Sequence, residues 1–128
     1  MTREEFIKVL DGKDYSYEIE SEKIVVLGVD IWLKSLTSLP PGVEFRNGGS
    51  VNLESLTSLP PVIVFNNKWD VNLDSLPSIP PGIVFNNGWD VYLESLTGDW
   101  FSEWKGNIEG IDPKRLLNKM IKYGIFER

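Results

Sequence analysis

Read for its apolar positions, the chain falls into columns with a 20-residue period. LKSLTSLPPGVEFRNGGSVN (33–52), LESLTSLPPVIVFNNKWDVN (53–72) and LDSLPSIPPGIVFNNGWDVY (73–92) align without gaps, and LESLTGDW (93–100) opens a fourth copy. The recurring apolar columns are Leu33/Leu53/Leu73/Leu93, Leu36/Leu56/Leu76/Leu96, Leu39/Leu59/Ile79, Val43/Ile63/Ile83, Phe45/Phe65/Phe85 and Val51/Val71/Val91. Inside each copy, Val43-x-Phe45 and Val51-x-Leu53 alternate apolar with variable residues, the mark of a strand with one buried face. Two short strands per repeat are therefore predicted. Asn and Gly in RNGGS, NNKWD and NNGWD suit the turn between them, and the Pro-Pro pairs at 40/41, 60/61 and 80/81 predict an extended corner without backbone donors. Stacked in register, such coils make a mainly β fold, a parallel β-solenoid or leucine-rich-repeat-like stack.

The flanks break the period, as the caps of a solenoid must. Thr2 and Glu5 predict a capping box for a short helix carrying Phe6, Ile7, Val9 and Leu10, stopped by Gly12. The stretch YSYEIESEKIVVLGVDIWL (15–33) predicts a hairpin or a degenerate first coil, with Ile31 and Leu33 in the Val51 and Leu53 columns. Asp112 and Pro113 predict the start of a second helix with Leu116, Leu117, Met120 and Ile121 on one face, while Trp100, Phe101 and Trp104 suit a lid over the last coil. The expected organisation is one domain over 1–128: an N-terminal helix and β cap (1–30), a repeat solenoid (31–98), and an aromatic lid with a C-terminal helix cap (99–128).

The LTSLPPG motif and its period resemble short bacterial leucine-rich repeats, and the layout is similar to small repeat proteins of phage and bacterial genomes. The motif covers residues 31–98. This resemblance implies protein binding and, through its phage members, interference with a host enzyme or defence system in an anti-CRISPR-like manner. It implies no catalytic residue.

Composition narrows the chemistry. The 128 residues include no Cys and no His, so thiolate and imidazole catalysis are excluded, as is nearly every zinc, copper or haem site; no metal or cofactor is expected. The opening MTREEFIKVL is charged and has no apolar signal core, and no run is long enough to span a bilayer, so the expectation is a cytoplasmic protein without membrane association. Net charge is −6, which argues against direct nucleic-acid binding. The charge is uneven: four basic against eight acidic residues in 1–30, four against nine in 31–110, and five against two in 111–128. The basic residues Lys114, Arg115, Lys119 and Lys122 lie on the last segment.

Candidate binding residues come from columns that vary while the core columns hold. Asp70 and Asp90 with Ser50, beside Glu54, Asp74 and Glu94, stack acidic groups one coil apart, suited to a cation, to a basic partner, or simply to solvation. Trp69 and Trp89 stand where the first copy has Gly49, so the coil itself does not require them, and Tyr92 closes the outward column Trp32, Asn52, Asn72. Asn47, Asn67 and Asn87 predict an internal amide ladder, and Glu44, Val64 and Val84 read as an outward column of the other strand. These features make the chain a non-enzymatic protein-binding module, with Trp69, Trp89, Asp70, Asp90, Asp74, Glu94 and Tyr92 as the expected contact residues. The alternative is an acidic nucleic-acid mimic that blocks a host nucleic-acid enzyme. A carboxylate-dependent hydrolase is least favoured, because no carboxylate pair stands apart from the repeating columns. Solenoid ends and the valines at 64 and 84 make a homodimer an expectation for light scattering to test.

Overall fold

Thr2 begins the fold. In the computed structural model its Oγ1 accepts the Glu5 N–H at 3.1 Å and the Glu5 carboxylate accepts the Thr2 N–H at 3.2 Å, completing the predicted capping box of α1 (Arg3–Gly12). This backbone hydrogen bond holds the Glu5 carboxyl below its ordinary range. Phe6 and Leu10, one helical turn apart, are fully buried, and Ile7 and Val9 pack beside them against the first coil. The structure describes residues 1–80 and 82–95; the expected aromatic lid and C-terminal helix lie outside the described residues.

Among the described residues nine strands follow: β1 (Tyr17–Glu20), β2 (Lys23–Val26), β3 (Ile31–Trp32), β4 (Val43–Phe45), β5 (Val51–Asn52), β6 (Val64–Phe65), β7 (Val71–Asn72), β8 (Val84–Phe85) and β9 (Val91–Tyr92). They form two sheets, ordered β1-β2-β4-β6-β8 and β3-β5-β7-β9. Among the described residues every pairing is parallel except β1–β2, so the repeat builds a β-solenoid on which one antiparallel hairpin is laid. The segment preceding the repeats is thus both a hairpin and a first coil: β2 and β3 occupy the strand positions that β4 and β5 occupy one coil later.

Register fixes the column identities. Val51 pairs with Val71 and Val71 with Val91, a step of 20 residues, but Ile24 pairs with Val43, a step of 19. The missing residue falls in the first turn, 27–30, which is one shorter than its counterpart 46–50. A side chain at Gly49 would therefore run into the Asp30 carboxylate and the Val29 carbonyl, the latter at 2.8 Å. Tryptophans can occupy this column only from residue 69 onward.

Among the described residues, the predicted columns supply the core of the repeats, and Phe6, Leu10, Ile24 and Val26 extend it into the N-terminal segment. Leu53, Leu56, Ile63, Phe65, Val71, Leu73, Leu76 and Ile83 are fully buried. The rings of Phe45, Phe65 and Phe85 stack nearly parallel, at 5.4 and 5.3 Å between centroids. Asn47, Asn67 and Asn87 are buried at the turns, where each amide donates across the coil boundary, to the carbonyls of Val29 (2.6 Å), Gly49 (3.0 Å) and Trp69 (3.1 Å), and to carbonyls of its own turn. The amide ladder thus satisfies the turn backbone, as expected. The open edges at the start are closed in two ways: the Trp32 N–H of β3 donates to the Tyr15 hydroxyl at 3.0 Å, and β1 presents Glu18 and Glu20 to solvent, charges that discourage edge pairing.

One sequence expectation needs correction. Glu44, read as an outward residue, is 5% exposed: Lys23 Nζ at 2.9 Å and Arg46 Nε at 2.6 Å cover it, and Arg46 reaches on to Glu20 at 3.1 Å. Burial pushes its carboxyl up, but the hydrogen bonds from Arg46 and Lys23 prevail and hold it below its ordinary range. The aligned Val64 and Val84 are half-buried, not fully exposed.

Candidate functional site

Because Ile31, Val51, Val71 and Val91 point into the core, strand alternation sends residues 32/52/72/92 to the opposite face of the second sheet, with residues 30/50/70/90 just before each strand and 34/54/74/94 in the turn just after it. Three columns thus run along the second sheet and its flanks. The first is Asp30, Ser50, Asp70 and Asp90; the second Trp32, Asn52, Asn72 and Tyr92; the third Lys34, Glu54, Asp74 and Glu94. The four expected acidic contacts, Asp70, Asp90, Asp74 and Glu94, thus fall in these columns with Tyr92.

The carboxylates have a structural duty there. Asp30 Oδ1 accepts the Ser50 N–H at 3.0 Å, Asp70 Oδ1 the Asp90 N–H at 2.9 Å, and Asp74 Oδ1 the Glu94 N–H at 3.3 Å, so each ties its coil to the next. In the middle column, Asn52 and Asn72 accept the N–H of Glu54 (3.1 Å) and Asp74 (3.0 Å) through Oδ1, which turns their Nδ2 donors away from that bond. Among the described residues no group of three or more carboxylates is placed to hold a metal ion.

Trp69 and Trp89 project from the turns that immediately precede this face. Their rings stack at 5.8 Å between centroids and 28° between planes, and they remain 41% and 60% exposed. An aromatic pair held rigid by mutual stacking yet left in solvent offers contact area at small conformational cost.

Sequence reasoning placed Tyr92 on this face but missed what it shares with Trp32. The middle column borders a groove of about 160 Å³ lined by Trp32, Asn52, Asn72 and Tyr92 with Ser50 and Asp70 beside them. Lys34 Nζ already sits 5.5 Å from the centre of the Trp32 ring. The alignment of Trp32, Asn52, Asn72 and Tyr92 in one column was the available signal; the depth between them was not. Among the described residues, no helix is long and apolar enough to cross a membrane.

Comparison with protein-family models, curated proteins and solved structures finds no match to this chain.

Proposed function

We propose that this chain is a non-enzymatic binding module that docks the outward face of its second sheet onto a basic surface of a partner protein. One observation carries the reading: the acidic columns and the stacked, exposed Trp69–Trp89 pair lie together, on the face and on the turns leading into it. Rigid aromatics supply binding energy on truncation-sensitive contacts, while ordered carboxylates speed and orient encounter with a basic surface. The resemblance to phage repeat proteins extends this to interference with a host enzyme or defence system.

A second reading has its own support. Asp70, Asp74, Asp90 and Glu94 place two carboxylates per coil, or one per roughly 2.4 Å at the usual strand spacing, against one phosphate per about 1.7 Å of duplex DNA. A surface of that density suits a protein that occupies the groove of a nucleic-acid enzyme.

Affinity capture with the tagged chain, followed by binding measurements on the purified partner, tests both. Trp69→Ala with Trp89→Ala is expected to weaken binding at unchanged melting temperature, and Asp70→Asn with Asp90→Asn to slow association chiefly at low salt. Equal binding by parent and both variants rejects the face as the site. Displacement of the chain by duplex DNA selects the second reading over the first.

A further inference from the structure

We infer that the outer edge of β1 is a further docking site, which adds an extended basic segment of a partner protein to the first sheet as one more strand. The site is separate from the face of the second sheet and does not depend on it. Its basis is the direction of the backbone groups. In the β1–β2 hairpin Glu18 pairs with Val25 and Glu20 with Lys23, and the Leu27 N–H donates to the Ser16 carbonyl at 2.9 Å. Hydrogen-bonded pairs therefore run through residues 16, 18 and 20, which leaves the N–H and C=O of Tyr17 and Ile19 directed away from β2. The far side of β2 agrees: the Ile24 N–H donates to the Gly42 carbonyl at 3.0 Å and the Arg46 N–H to the Val26 carbonyl at 2.8 Å, so residues 24 and 26 serve β4. Among the described residues no hydrogen bond reaches the outward groups of Tyr17 and Ile19, whereas the edge of β3 is closed by the Tyr15 hydroxyl on the Trp32 N–H.

Charge selects the occupant. Residues 14–22 hold Asp14, Glu18, Glu20 and Glu22, all exposed, and no Lys or Arg. Glu20 is shared with Arg46, and Glu18 makes no ion pair among the described residues. In the antiparallel register that uses the outward groups of Tyr17 and Ile19 on both sides, a second copy would set Glu18 opposite Glu18, and like charges directly opposite destabilise a strand pair. The charges that keep a like strand off this edge favour an unlike one. A lysine or arginine opposite Glu18 and an apolar residue opposite Ile19, which is 49% exposed, satisfy the same edge. The occupant is an extended segment alternating basic and apolar residues, held by main-chain hydrogen bonds and sorted by charge.

The test is amide exchange by NMR on the isotope-labelled full chain, titrated at low salt with acetyl-Lys-Val-Lys-Val-Lys-amide and with its Glu-Val-Glu-Val-Glu counterpart. The lysine peptide is expected to bind about tenfold tighter and to slow exchange at Tyr17 and Ile19, while Glu18 and Glu20, already bonded to β2, stay as they were. Ile19→Pro removes an outward N–H without touching the β1–β2 ladder, so it should abolish that binding. Glu18→Lys, an exposed change, should turn the preference towards the glutamate peptide, and it reads the site should the proline variant fail to fold. Absence of binding, equal affinity for the two peptides, or binding without slowed exchange at Tyr17 and Ile19 overturns the proposal. So does slowed exchange at these amides before any peptide is added: at every protein concentration it means that the chain covers its own edge, and growing with concentration it means that a second copy does. Each of these outcomes leaves the reading of the second-sheet face as it stands.

Discussion

Val62 is the residue most at odds with its place. It occupies the column of Gly42 and Gly82, whose φ values are +77° and +84°, and it holds φ at +63° while remaining 62% exposed. A β-branched side chain in left-handed backbone costs about 1–2 kcal/mol, and so exposed a position returns little burial energy. Val62→Gly is therefore expected to stabilise the protein, by about 0.5 kcal/mol after the greater flexibility of glycine in the unfolded chain is subtracted, read as a rise of about 2 °C in Tm. A fall in Tm refutes the strain. Asn67 is the opposite case, a polar residue that the coil demands. Its amide donates to three carbonyls, so Asn67→Ala is expected to cost about 2 kcal/mol in denaturant unfolding. Asn67→Asp should cost more at neutral pH, because it turns a carboxylate toward those carbonyls. The folded-state pKa of that new carboxyl is raised, so its stability should recover as pH falls through that pKa; a deficit independent of pH counts against the assigned donors.

Strands of two or three residues are too short to persist alone, and here each is stable only through its copy in the next coil. The Phe45–Phe65–Phe85 stack is the clearest such contact, and its central ring has a partner on both sides. Phe65→Ala is expected to remove about 3–5 kcal/mol in chemical denaturation, a large fraction of the stability of a domain this size, whereas Phe65→Leu should cost about half as much. A loss below about 1 kcal/mol for the alanine variant rules out the stacked core. The helix was readable residue by residue at its start, since its cap and its apolar positions are local; its end differs, with Gly12 inside α1, Lys13 as the C-cap and Asp14 taking the left-handed φ of +57°. The strands were readable because the period repeats their alternation. The buried state of Glu44 was not, because Lys23 and Arg46 reach it from a neighbouring strand and from two residues along its own.

For the molecule as a whole, the network of Glu44, Lys23, Arg46 and Glu20 joins the N-terminal hairpin to the first repeat. The Glu44 carboxyl is held below its unfolded value, so the stability it supplies is present above the ordinary carboxylate range near pH ~4.3 and is lost as pH falls through the folded value. Thermal melts from neutral to acid pH should show Tm declining below about pH 4, with a shallower decline in Glu44→Gln, which starts from a lower Tm at neutral pH. Parallel curves for the two proteins exclude Glu44 as a source of acid lability. The candidate site also belongs to this scale. Trp69 and Trp89 are neighbours in space only because the coils stack in register, and Trp32 and Tyr92 border one groove only because three coils separate them along a straight column.

The sequence by itself determined the period, the core columns, the two strands of each coil, the turn amides and the capped helix, since each depends on residues close in the chain or on exact repetition at 20 residues. It also determined which residues vary from copy to copy and hence which face is open to function. Only the tertiary structure decided that the segment 15–33 is hairpin and coil at once, and that its shortened turn keeps a side chain out of position 49. It alone showed that Asp70 and Asp74 accept backbone N–H groups of the next coil, and that the middle column borders a groove. The physical reason is that periodicity fixes which face a side chain takes, whereas hydrogen-bond partners, ring contacts and depth depend on how neighbouring coils are offset, and a single residue removed from one turn is enough to change that offset.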